Sequence, residues 1–264
     1  MANFGEAATF STQRGGDRMW RAERERLIAQ RLDSRGRVSI AELVRDTGVS
    51  RETLRADLEA LAATGRIRRV RGGAVVATGA EPAFEERMHH RTAEKLAIGR
   101  AAAALLPGGA SVMIDAGSTT AALGRALVER PDLRIITNSL QIARDLAPTH
   151  DVFLLGGVPD APAQGLFGEM TLSQLRRFRA DVAVISPVGV DPQVGLSNFK
   201  LPEAELARAM FAAAERRMAL AQAEKLGHRS RDVIAPLSAL DWLVTDAAPP
   251  QGWPLLPGWT CVGG

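Results

Sequence analysis

The segment from residue 38 to residue 74 constrains the fold of this chain more than any other stretch. It runs VSIAELVRDTGVSRETLRADLEALAATGRIRRVRGGA, with two short amphipathic stretches around a glycine and a basic Gly-Gly sequence after them. Two helices around a tight turn, followed by a β-hairpin, form a helix-turn-helix with a wing. The second helix of such a motif enters the major groove of DNA. The pattern therefore predicts a DNA-contacting module near the front of the chain.

Helical signals begin before this segment. A first helix is predicted over residues 20–34, because Trp20, Leu27, Ile28 and Leu32 can share one of its faces. This helix would complete a three-helix bundle with the two that follow.

Capping residues mark the bounds of the next two helices. Ser39 and Glu42 match a capping box, in which the serine hydroxyl accepts from the glutamate backbone N–H and the glutamate carboxylate reaches back. The second helix is then expected to run to about Thr47. Gly48 supplies the tight turn, since glycine tolerates positive φ, and Ser50 is expected to cap the third helix.

The third helix places its apolar and polar residues on opposite sides. Leu54, Leu58 and Leu61 form a buried stripe, so the polar residues of its first turns point outward. Arg51 and Arg55 are then placed to reach guanine edges or phosphates. One such helix alone would fit any helical bundle, but the capped pair, the turn and the hairpin together favour DNA.

The hairpin supplies the remaining DNA contacts of the prediction. Ile67, Val70, Val75 and Val76 are expected to pack inward, while arginines lie along phosphates and two glycines let the backbone approach. The residues predicted to contact DNA are Ser39, Ser50, Arg51, Glu52, Thr53, Arg55, Arg68, Arg69, Arg71, Gly72 and Gly73.

The charge distribution agrees with a basic module attached to a different body. Residues 1–80 contain 15 arginines and no lysine against 10 acidic residues, whereas residues 81–264 contain 18 basic and 20 acidic residues. A solvated basic surface would give the same imbalance, so charge alone does not decide for nucleic acid.

The chain has one cysteine, which excludes a disulfide framework. With no long apolar run and no signal peptide, we expect a cytoplasmic protein without a membrane partner.

The rest of the chain alternates short apolar runs with helix-like stretches. Apolar strands alternating with helices are typical of a parallel sheet that is covered on both faces. The predicted strands are Ser111–Ile114, Leu133–Ile136, Val152–Leu155, Val182–Ile185, Met218–Ala221 and Trp242–Val244. The fold class is therefore a two-domain α/β protein, with a winged helix-turn-helix followed by a mainly parallel sheet domain.

Polar and glycine residues follow most of these strands, at the edge where open α/β sheets bind ligands. The sequence GSTT at residues 117–120 opens a helix, and a helix N-terminus suits a phosphate. Each residue alone is ordinary turn chemistry, and the set together predicts an effector site. That set is Asp115, Gly117, Ser118, Thr119, Thr120, Thr137, Asn138, Ser139, Gly156, Gly157, Gly189, Asp191, Glu203 and Lys225.

Four domain segments are expected. They are a flexible arm at 1–18, a DNA-binding domain at 19–78, a linker at 79–94 and an effector-sensing domain at 95–264.

His89 and His90 are adjacent and would point apart on a helix, and no other residues have metal spacing, so neither a metal nor a cofactor is expected. The Pro- and Gly-rich end of the chain is expected to wrap the domain and to add a short last strand.

The chain resembles the DeoR family of bacterial transcriptional regulators. In the DNA-binding domain, the matching motifs are TLRADL at residues 53–58 and the hairpin that ends in RGGA. In the second domain, they include DAGSTT at residues 115–120, TNS at 137–139 and KLG at 225–227. The resemblance covers about residues 20–247. Within the family, the chain most resembles the glycerol-3-phosphate-type regulators. It implies a sensor fold similar to ribose-5-phosphate isomerase and a phosphorylated sugar or polyol as effector.

Three positions depart from the family pattern. Ala56 replaces a usual Arg in the third helix, Arg71 replaces a usual His in the hairpin, and Gln222 replaces a usual Asp three residues before Lys225. The first departure removes an expected DNA contact. The third replaces a carboxylate of the effector site with a neutral amide.

Three functions stay open from the sequence. The first is a repressor of carbohydrate or polyol catabolism genes that binds a double-stranded DNA operator as a homodimer or homotetramer and responds to a phosphorylated effector. The second is a sugar-phosphate isomerase or deaminase-like enzyme that carries a front domain. The third is a DNA binder without a ligand. The loss of the carboxylate at Gln222 and the DNA module favour the first over the second, and we therefore expect no enzyme activity.

Overall fold

The computed structural model describes residues 19–35, 37–63, 67–76, 84–160, 163–254 and 256–262. The chain divides into two compact units, residues 1–80 and residues 81–264. The arm predicted over residues 1–18 lies outside the described residues.

The front unit has the predicted winged helix-turn-helix. Its described elements are α1 (Arg21–Arg35), β1 (Arg37–Ser39), α2 (Ile40–Thr47), α3 (Arg51–Ala63), β2 (Ile67–Val70) and β3 (Gly73–Val76). Strand β3 lies in the centre of a three-stranded sheet and pairs antiparallel with β1 and with β2. The tight turn between α2 and α3 contains Gly48 at φ 65°, as predicted.

The core of this unit follows the predicted stripes with two exceptions. Ile28 of α1 and Leu54 and Leu58 of α3 are fully buried. Trp20, which was expected on the same face as Ile28, is 80% exposed because it precedes the first residue of α1. Val70 was expected to pack inward but lies exposed, since it ends β2 at the tip of the hairpin.

An ion pair that the sequence did not single out joins α1 to α3. The Arg24 guanidinium donates from Nε to Asp57 Oδ2 at 2.7 Å and from Nη2 to Asp57 Oδ1 at 3.1 Å. Both residues are buried. The hydrogen bond to Asp57 raises the pKa of Arg24 above its usual value despite the opposing effect of burial. The pair fixes the inner side of α3 against α1.

The capping box predicted at the start of α2 is wrong. Ser39 occupies the N-cap position, but its side chain makes no capping hydrogen bond, because Ser39 also ends β1 and pairs there with Gly73. The Ile40 backbone N–H donates to the Gly72 carbonyl oxygen at 2.9 Å. A Cβ atom at Gly73 would lie 2.0 Å from the Val38 carbonyl oxygen, so this glycine allows β1 and β3 to approach each other.

The back unit alternates strands and helices along the chain. Its described elements are α4 (Phe84–His89), α5 (Thr92–Leu105), β4 (Ser111–Ile114), α6 (Ser118–Leu127), β5 (Arg134–Thr137), α7 (Leu140–Leu146), β6 (Asp151–Leu154), β7 (Val158–Asp160), β8 (Gly165–Phe167), α8 (Glu169–Leu175), β9 (Ala180–Ile185), β10 (Gly189–Asp191), β11 (Gly195–Asn198), α9 (Leu201–Ala212), β12 (Ala214–Ala221), β13 (Asp232–Ala235), β14 (Trp242–Thr245) and β15 (Trp259–Cys261). Short 3-10 turns occupy Ala223–Lys225 and Leu237–Ala239.

Seven of these strands form one parallel sheet in the order β15-β14-β12-β9-β4-β5-β6. All six predicted strands belong to it, and β15 is the short last strand expected near the end of the chain. Strands β10, β11 and β13 form a small antiparallel sheet, and β7 pairs with β8. The predicted mainly parallel α/β domain is therefore confirmed.

Both faces of the large sheet are covered by apolar side chains. Val112 and Ile114 of β4 pack into a cluster with Ile98 of α5 and Leu123 of α6. Met113, between them, points to the other face and into a second cluster. Continuous apolar strands thus correspond to a sheet that is buried on both sides.

The proposed domain boundaries remain a prediction, although the segment expected as a linker contains α4 and the start of α5. None of the helices in the described residues combines the length and the apolar character that crossing a membrane requires.

Replacing Asp57 with Ala tests the ion pair between α1 and α3. The substitution leaves the Arg24 guanidinium buried without its partner, which costs about 3–5 kcal/mol of the free energy of unfolding. Urea unfolding of the front unit, followed by far-UV circular dichroism, measures the loss. Glu59→Ala is the matched control, because Glu59 is exposed in its ion pair with Arg69 and its loss costs about 0–1 kcal/mol. Equal losses for the two variants would contradict this account.

Candidate nucleic-acid interface and ligand pocket

The start of α3 is held by its cap. The Ser50 hydroxyl accepts from the Thr53 backbone N–H at 3.2 Å, and its oxygen lies 3.0 Å from the Thr53 hydroxyl oxygen. This geometry confirms the predicted cap. The cap aligns the first turn of α3 and leaves its side chains directed away from the core.

The first turns of α3 present the polar face that the sequence predicted. Arg51, Glu52, Thr53 and Arg55 are exposed, while Leu54 lies on the opposite side with no exposed surface. An exposed N-terminal face with two arginines suits base edges and phosphates in a major groove.

The hairpin contributes fewer candidate contacts than the sequence suggested. Arg71 is exposed, and Gly72 turns the chain at φ 85° and is exposed as well. Arg69 instead donates to the Glu59 carboxylate of α3 at 2.5 Å, and Gly73 is buried against β1. Arg69 therefore stabilises the hairpin on α3, and Gly73 allows β3 to pack against β1, while the DNA contacts of both residues stay predictions.

The DNA contacts of two further residues of the predicted set stay predictions. Ser39 is half-buried at the end of β1. The backbone of Arg68 lies in β2, and its side chain lies outside the described residues.

The large sheet brings its functional residues together at one edge. Strand β4 and strand β9 are neighbours, and from them the chain winds outward in opposite directions, toward β6 on one side and β15 on the other. Such a point, where the strand order reverses, is where open α/β sheets form a crevice at the carboxyl ends of their strands. Asp115 follows β4 and Ser186 follows β9, and the Ser186 N–H donates to Asp115 Oδ2 at 3.0 Å across this point.

A small, partly open pocket lies at this crevice. It is lined by Arg87, Asp115, Ala116, Phe167, Ser186, Val188, Asn198, Glu203 and Leu206. Asp115 and Glu203 belong to the predicted effector set. Arg87 lies on α4, in the segment interpreted as linker, and Asn198 ends β11. Their sequence neighbourhood gave no signal, because both reach the pocket only through the fold.

Asp115 is an ionisable residue of the pocket whose pKa is strongly shifted. Burial raises its pKa to about 6, although the Ser186 N–H and the positive charges of Lys225 and Arg87 oppose this effect. The other carboxylate oxygen, Oδ1, is buried without a hydrogen-bond partner. This oxygen, at the base of the pocket, can therefore still accept a hydrogen bond. Perturbed carboxyl groups of this kind cluster at functional sites.

Lys225 lies beside the pocket at the 3-10 turn after β12. Its ammonium donates to the Ser186 hydroxyl at 3.2 Å and to the Pro187 carbonyl oxygen at 2.7 Å. The expected cation is thus present at the strand ends.

The start of α6 is packed closely against the strand ends. A Cβ atom at Gly117 would lie 2.9 Å from the Thr120 hydroxyl oxygen, so glycine is needed for this approach. The Thr120 hydroxyl donates to the carbonyl oxygens of Asp115 and Gly117. Ser118 and Thr119 are buried in the same turn. The Thr120 hydroxyl already has partners within the protein, so the donors left for a phosphate are the backbone N–H groups in the first turn of α6.

Other members of the predicted effector set hold loops together. The Thr137 hydroxyl donates to the Ile114 carbonyl oxygen at 2.7 Å, and the Ser139 hydroxyl caps α7 by accepting from the Ile142 N–H at 3.2 Å. The Asn138 amide donates to the Leu166 carbonyl oxygen at 3.2 Å, and its Oδ1 is buried without a partner.

The two glycines after β6 also have packing roles. The Gly156 N–H donates to the Gln174 side chain at 2.7 Å. A Cβ atom at Gly157 would lie 2.1 Å from the Thr171 hydroxyl oxygen. Both glycines therefore bring the end of β6 close to α8.

Asp191 and Gly189 are not among the residues that line the pocket, and their role in effector binding stays a prediction. Asp191 closes the turn between β10 and β11, where its Oδ1 accepts from the N–H groups of Gln193 and Val194 and its Oδ2 accepts from Arg229 at 2.7 Å. Burial alone would raise the pKa of Asp191, but Arg229 and the two N–H groups hold it below its usual range. Gly189 allows close contact with the His228 carbonyl oxygen.

Gln222, the departure noted in the sequence, is buried at the end of β12. Its Oε1 accepts from the Thr119 hydroxyl at 3.3 Å, while its Nε2 has no hydrogen-bond partner. The amide therefore links α6 to the turn that carries Lys225. Across the described residues, no group of three or more His, Cys, Asp or Glu side chains is arranged to hold a metal ion.

Comparison with known families accounts for both units. Residues 24–79 match the model of the DeoR-like helix-turn-helix domain, and residues 90–247 match that of the DeoR C terminal sensor domain. A capped recognition helix with a wing, followed by this sensor domain, defines a class of DNA-binding transcriptional regulators.

Relatives that match nearly the whole chain are also named as transcriptional regulators. The glycerol-3-phosphate regulon repressor of Escherichia coli (strain K12) is 32% identical over 235 residues, which cover 88% of this chain and 93% of that protein. The HTH-type transcriptional repressor CsqR of the same organism is 34% identical over 222 residues, covering 83% of this chain and 85% of the relative. The HTH-type transcriptional regulator GolR of Listeria innocua is 32% identical over 232 residues, covering 86% and 91%.

The chain therefore belongs to the DeoR family. It is a DNA-binding transcriptional regulator, as predicted, and the relatives above carry the names of transcriptional repressors or regulators. Among solved structures, ribose 5-phosphate isomerase A from Methanocaldococcus jannaschii is 16% identical over 50% of this chain and 53% of that chain, with a TM-score of 0.38. A likeness at that level carries no functional argument.

Replacing Asp115 with Asn tests its burial in the pocket. Because the folded-state pKa is raised from 3.8 to about 6, the ionised carboxylate destabilises the folded state above pH 6. The variant should be more stable than the wild type by on the order of 1–3 kcal/mol at pH 7.5, and this difference should shrink as the pH falls toward 4. Urea unfolding of the ligand-free protein across this range measures it.

Asp191→Asn provides the opposite control. The lowered pKa of Asp191 stabilises the folded state at neutral pH and is lost under acid conditions, so this variant should be less stable at pH 7.5. A stability difference for Asp115→Asn that is independent of pH would refute the assignment.

Proposed function

We propose that the protein represses carbohydrate or polyol catabolism genes by binding an operator through its front unit, and that a phosphorylated sugar or polyol bound in its back unit relieves this repression. The observation that carries the proposal is the pocket at the β4–β9 switch point, where Arg87 and Lys225 accompany an unpartnered carboxylate oxygen. The family and the exposed face of α3 support the DNA-binding half.

DNA recognition is assigned first to α3. The proposed contacts are Ser50, Arg51, Glu52, Thr53 and Arg55 in α3 and its cap, with Arg68, Arg71 and Gly72 in the hairpin. The arginines of α3 would read bases, and the hairpin would add contacts to phosphates that do not depend on sequence. Ala56 leaves an exposed methyl group on the same helix, so operator preference should differ from that of relatives with arginine there.

The pocket has the chemistry for a phosphorylated polyol. Arg87 and Lys225 supply positive charge beside the first turn of α6, whose N-terminal N–H groups favour an anion. Asp115 and Glu203 provide acceptors for ligand hydroxyl groups, and Asn198 lines the same pocket. A ligand with one anionic end and several hydroxyl groups would satisfy both kinds of residue. Glycerol 3-phosphate, which the name of one relative contains, is the first ligand to test.

The remaining strand-end residues act behind this lining in the proposal. Thr119, Thr137, Asn138, Ser139 and Gly156 hold the loops that shape the pocket, and their internal hydrogen bonds support that role. Gln222 is neutral where the family pattern given above has an Asp, which favours a ligand that places an acceptor oxygen near its Nε2.

A network of charges connects the pocket turn to the junction between α4 and α5. Arg91 at this junction has φ 48°, a conformation that costs a non-glycine residue on the order of 1–3 kcal/mol. It is held there by Asp246 at 3.0 Å, Glu94 at 3.1 Å and Glu224 at 3.7 Å. Glu224 also lies 3.2 Å from the His90 ring nitrogen.

This network gives the pocket a route to α4. Glu224 precedes Lys225 in the same 3-10 turn, and α4 carries Arg87 into the pocket. The buried Lys95 ammonium donates to the carbonyl oxygens of Arg87 and His90, which ties the end of α4 to α5. A ligand that draws Arg87 and Lys225 together would therefore shift α4, the element that directly follows the front unit. Only a ligand that binds the two arrangements with different affinity can change DNA binding in this way.

Assembly and location complete the proposal. One winged helix gives limited specificity, and a symmetric operator calls for a symmetric protein, so we infer a homodimer or homotetramer. A cytoplasmic location follows from the role at DNA. The four domain segments predicted from the sequence are kept as the proposed organisation.

Replacing Arg51 with Ala tests base reading by α3. If Arg51 contacts a guanine, the variant should bind its operator about 1–3 kcal/mol more weakly and lose discrimination at one base position. Fluorescence anisotropy with an operator and with scrambled DNA, at two salt concentrations, measures both effects. Arg26→Ala, an exposed arginine of α1, is the matched control and should change operator binding little. Equal effects of the two substitutions would argue against α3 as the reading helix.

Replacing Lys225 with Gln tests the pocket. The variant should bind a phosphorylated ligand about 10–100-fold more weakly, since a charged hydrogen bond contributes about 1.5–3 kcal/mol, while operator binding without ligand should be unchanged. Isothermal titration with glycerol 3-phosphate and with pentose and hexose phosphates measures the affinity. Arg100→Gln, on the exposed side of α5, is the control. Loss of operator binding in the folded Lys225 variant would contradict this division of roles.

A further inference from the structure

An acidic residue lies at the middle of the outward side of α3. Successive residues of an α-helix turn by about 100°, so Glu52 lies about 160° around the axis from Leu54 and about 180° from Leu61. Leu54 is fully buried, and Leu61 packs against the same core. Glu52 is exposed and therefore points directly away from this core, while Arg51 and Arg55 both lie to one side of it.

The carboxylate of Glu52 is unpaired, unlike that of the other acid on this side of the helix. Ala56, about one turn after Glu52, presents only an exposed methyl group. Glu59 comes next, and its carboxylate accepts from Arg69 of the hairpin at 2.5 Å. Within the part of the chain that the structure describes, Glu52 has neither a hydrogen bond nor an ion pair through its side chain. Its carboxylate can therefore accept from a donor outside the protein.

Capping does not account for the acid at this position. An acidic residue in the first turn of a helix can accept from free backbone N–H groups or interact with the helix dipole. In α3 the cap is Ser50, whose hydroxyl accepts from the Thr53 N–H at 3.2 Å. Since Glu52 makes no hydrogen bond to the first turn, a structural role would be limited to the helix dipole.

A carboxylate in the major groove can only accept hydrogen bonds, which limits the bases that it tolerates. Guanine presents two acceptors there, and thymine presents an acceptor and a methyl group. Adenine presents an amino donor beside the N7 acceptor, so a carboxylate near the amino group is also near N7. Cytosine presents its N4 amino group with no acceptor of its own beside it. Because the phosphates repel a carboxylate in the groove, a hydrogen bond from cytosine is the contact that best offsets this repulsion.

We propose that Glu52 reads a cytosine in the operator by accepting a hydrogen bond from its N4 amino group. The carboxylate also repels the acceptor edges of guanine and thymine at that position, so it rejects wrong bases as well as binding the right one. The inference rests on the proposed role of α3 and deepens it, because it assigns one base to one side chain.

Selection from a random double-stranded DNA library, followed by sequencing, tests the assignment before the operator is known. Wild-type full-length protein should enrich sites that carry a cytosine at one fixed position. Competition binding with the four single-base variants of the enriched site then measures discrimination. The wild type should prefer cytosine over each other base at that position by about 5–100-fold.

Two substitutions separate base reading from a role in the helix. In Glu52→Gln the amide can bind both N6 and N7 of adenine, so the preferred base should change from cytosine to adenine. Glu52→Ala should lose the preference at this position alone and keep the preferred bases elsewhere. Glu23→Ala is the matched control, because Glu23 is an exposed acid in the first turn of α1, and it should leave every preferred base unchanged.

The outcomes separate this inference from the proposed function. A wild-type protein that enriches no sequence would contradict operator recognition itself, and the assignment of Glu52 with it. If the wild type enriches a site and both Glu52 variants prefer the same base at every position, only the assignment of Glu52 is overturned. Folded variants that bind all four bases equally more weakly, with discrimination unchanged, would also overturn it, because stabilisation of the helix does not depend on the base.

Discussion

The pairing of β4 with β9 is the contact on which the back unit depends. The chain winds away from these two strands in opposite directions, so the loops that follow them diverge and leave a crevice. The hydrogen bond from the Ser186 N–H to Asp115 closes the floor of that crevice at 3.0 Å. The first turn of α6, the turn with Lys225 and the end of α4 all meet there because the strands beneath them are parallel. The position of the pocket is a consequence of topology, and its residues decide what it binds.

The energetics of the pocket set a second constraint. A buried carboxylate with a pKa of about 6 is costly at neutral pH, and the nearby Lys225 and Arg87 reduce that cost only in part. Such an arrangement destabilises the ligand-free state and leaves acceptor capacity at Asp115 Oδ1. Ligand hydroxyl groups that donate to this oxygen would give it the partner that it lacks, and a phosphate would lie near the two cations. In the proposed mechanism, ligand binding and the arrangement of α4 are coupled through the same charges.

Local sequence signals predicted the elements well and the contacts between them less well. All six apolar runs became strands of the sheet, and Ser50, Gly48 and the leucine stripe placed α3 correctly, because caps, turns and periodicity act within a few residues. The capping box at Ser39 was wrong, and the packing of Gly73 was not foreseen, because β1 pairs with β3, a contact across more than thirty residues. Asp191 and Arg87 show the same limit: one closes a turn with Arg229, and the other enters the pocket from a helix in the segment interpreted as linker. Glycine and carboxylate positions look alike in sequence whether they pack or bind.

The most direct measurement of the central claim is the affinity for ligand with and without operator DNA. Isothermal titration would use the phosphorylated compound that binds most tightly, added to wild-type protein alone and to its operator complex. The account predicts that the operator weakens ligand binding, and that saturating ligand weakens operator binding by the same factor, since coupling between two sites is reciprocal. In Arg91→Ala the effect of operator on ligand affinity and the effect of ligand on operator affinity should both decrease, so that each affinity ratio approaches one. Ligand affinity without DNA should stay within about twofold of the wild-type value. A ligand affinity in the wild type that operator DNA leaves unchanged would contradict the account.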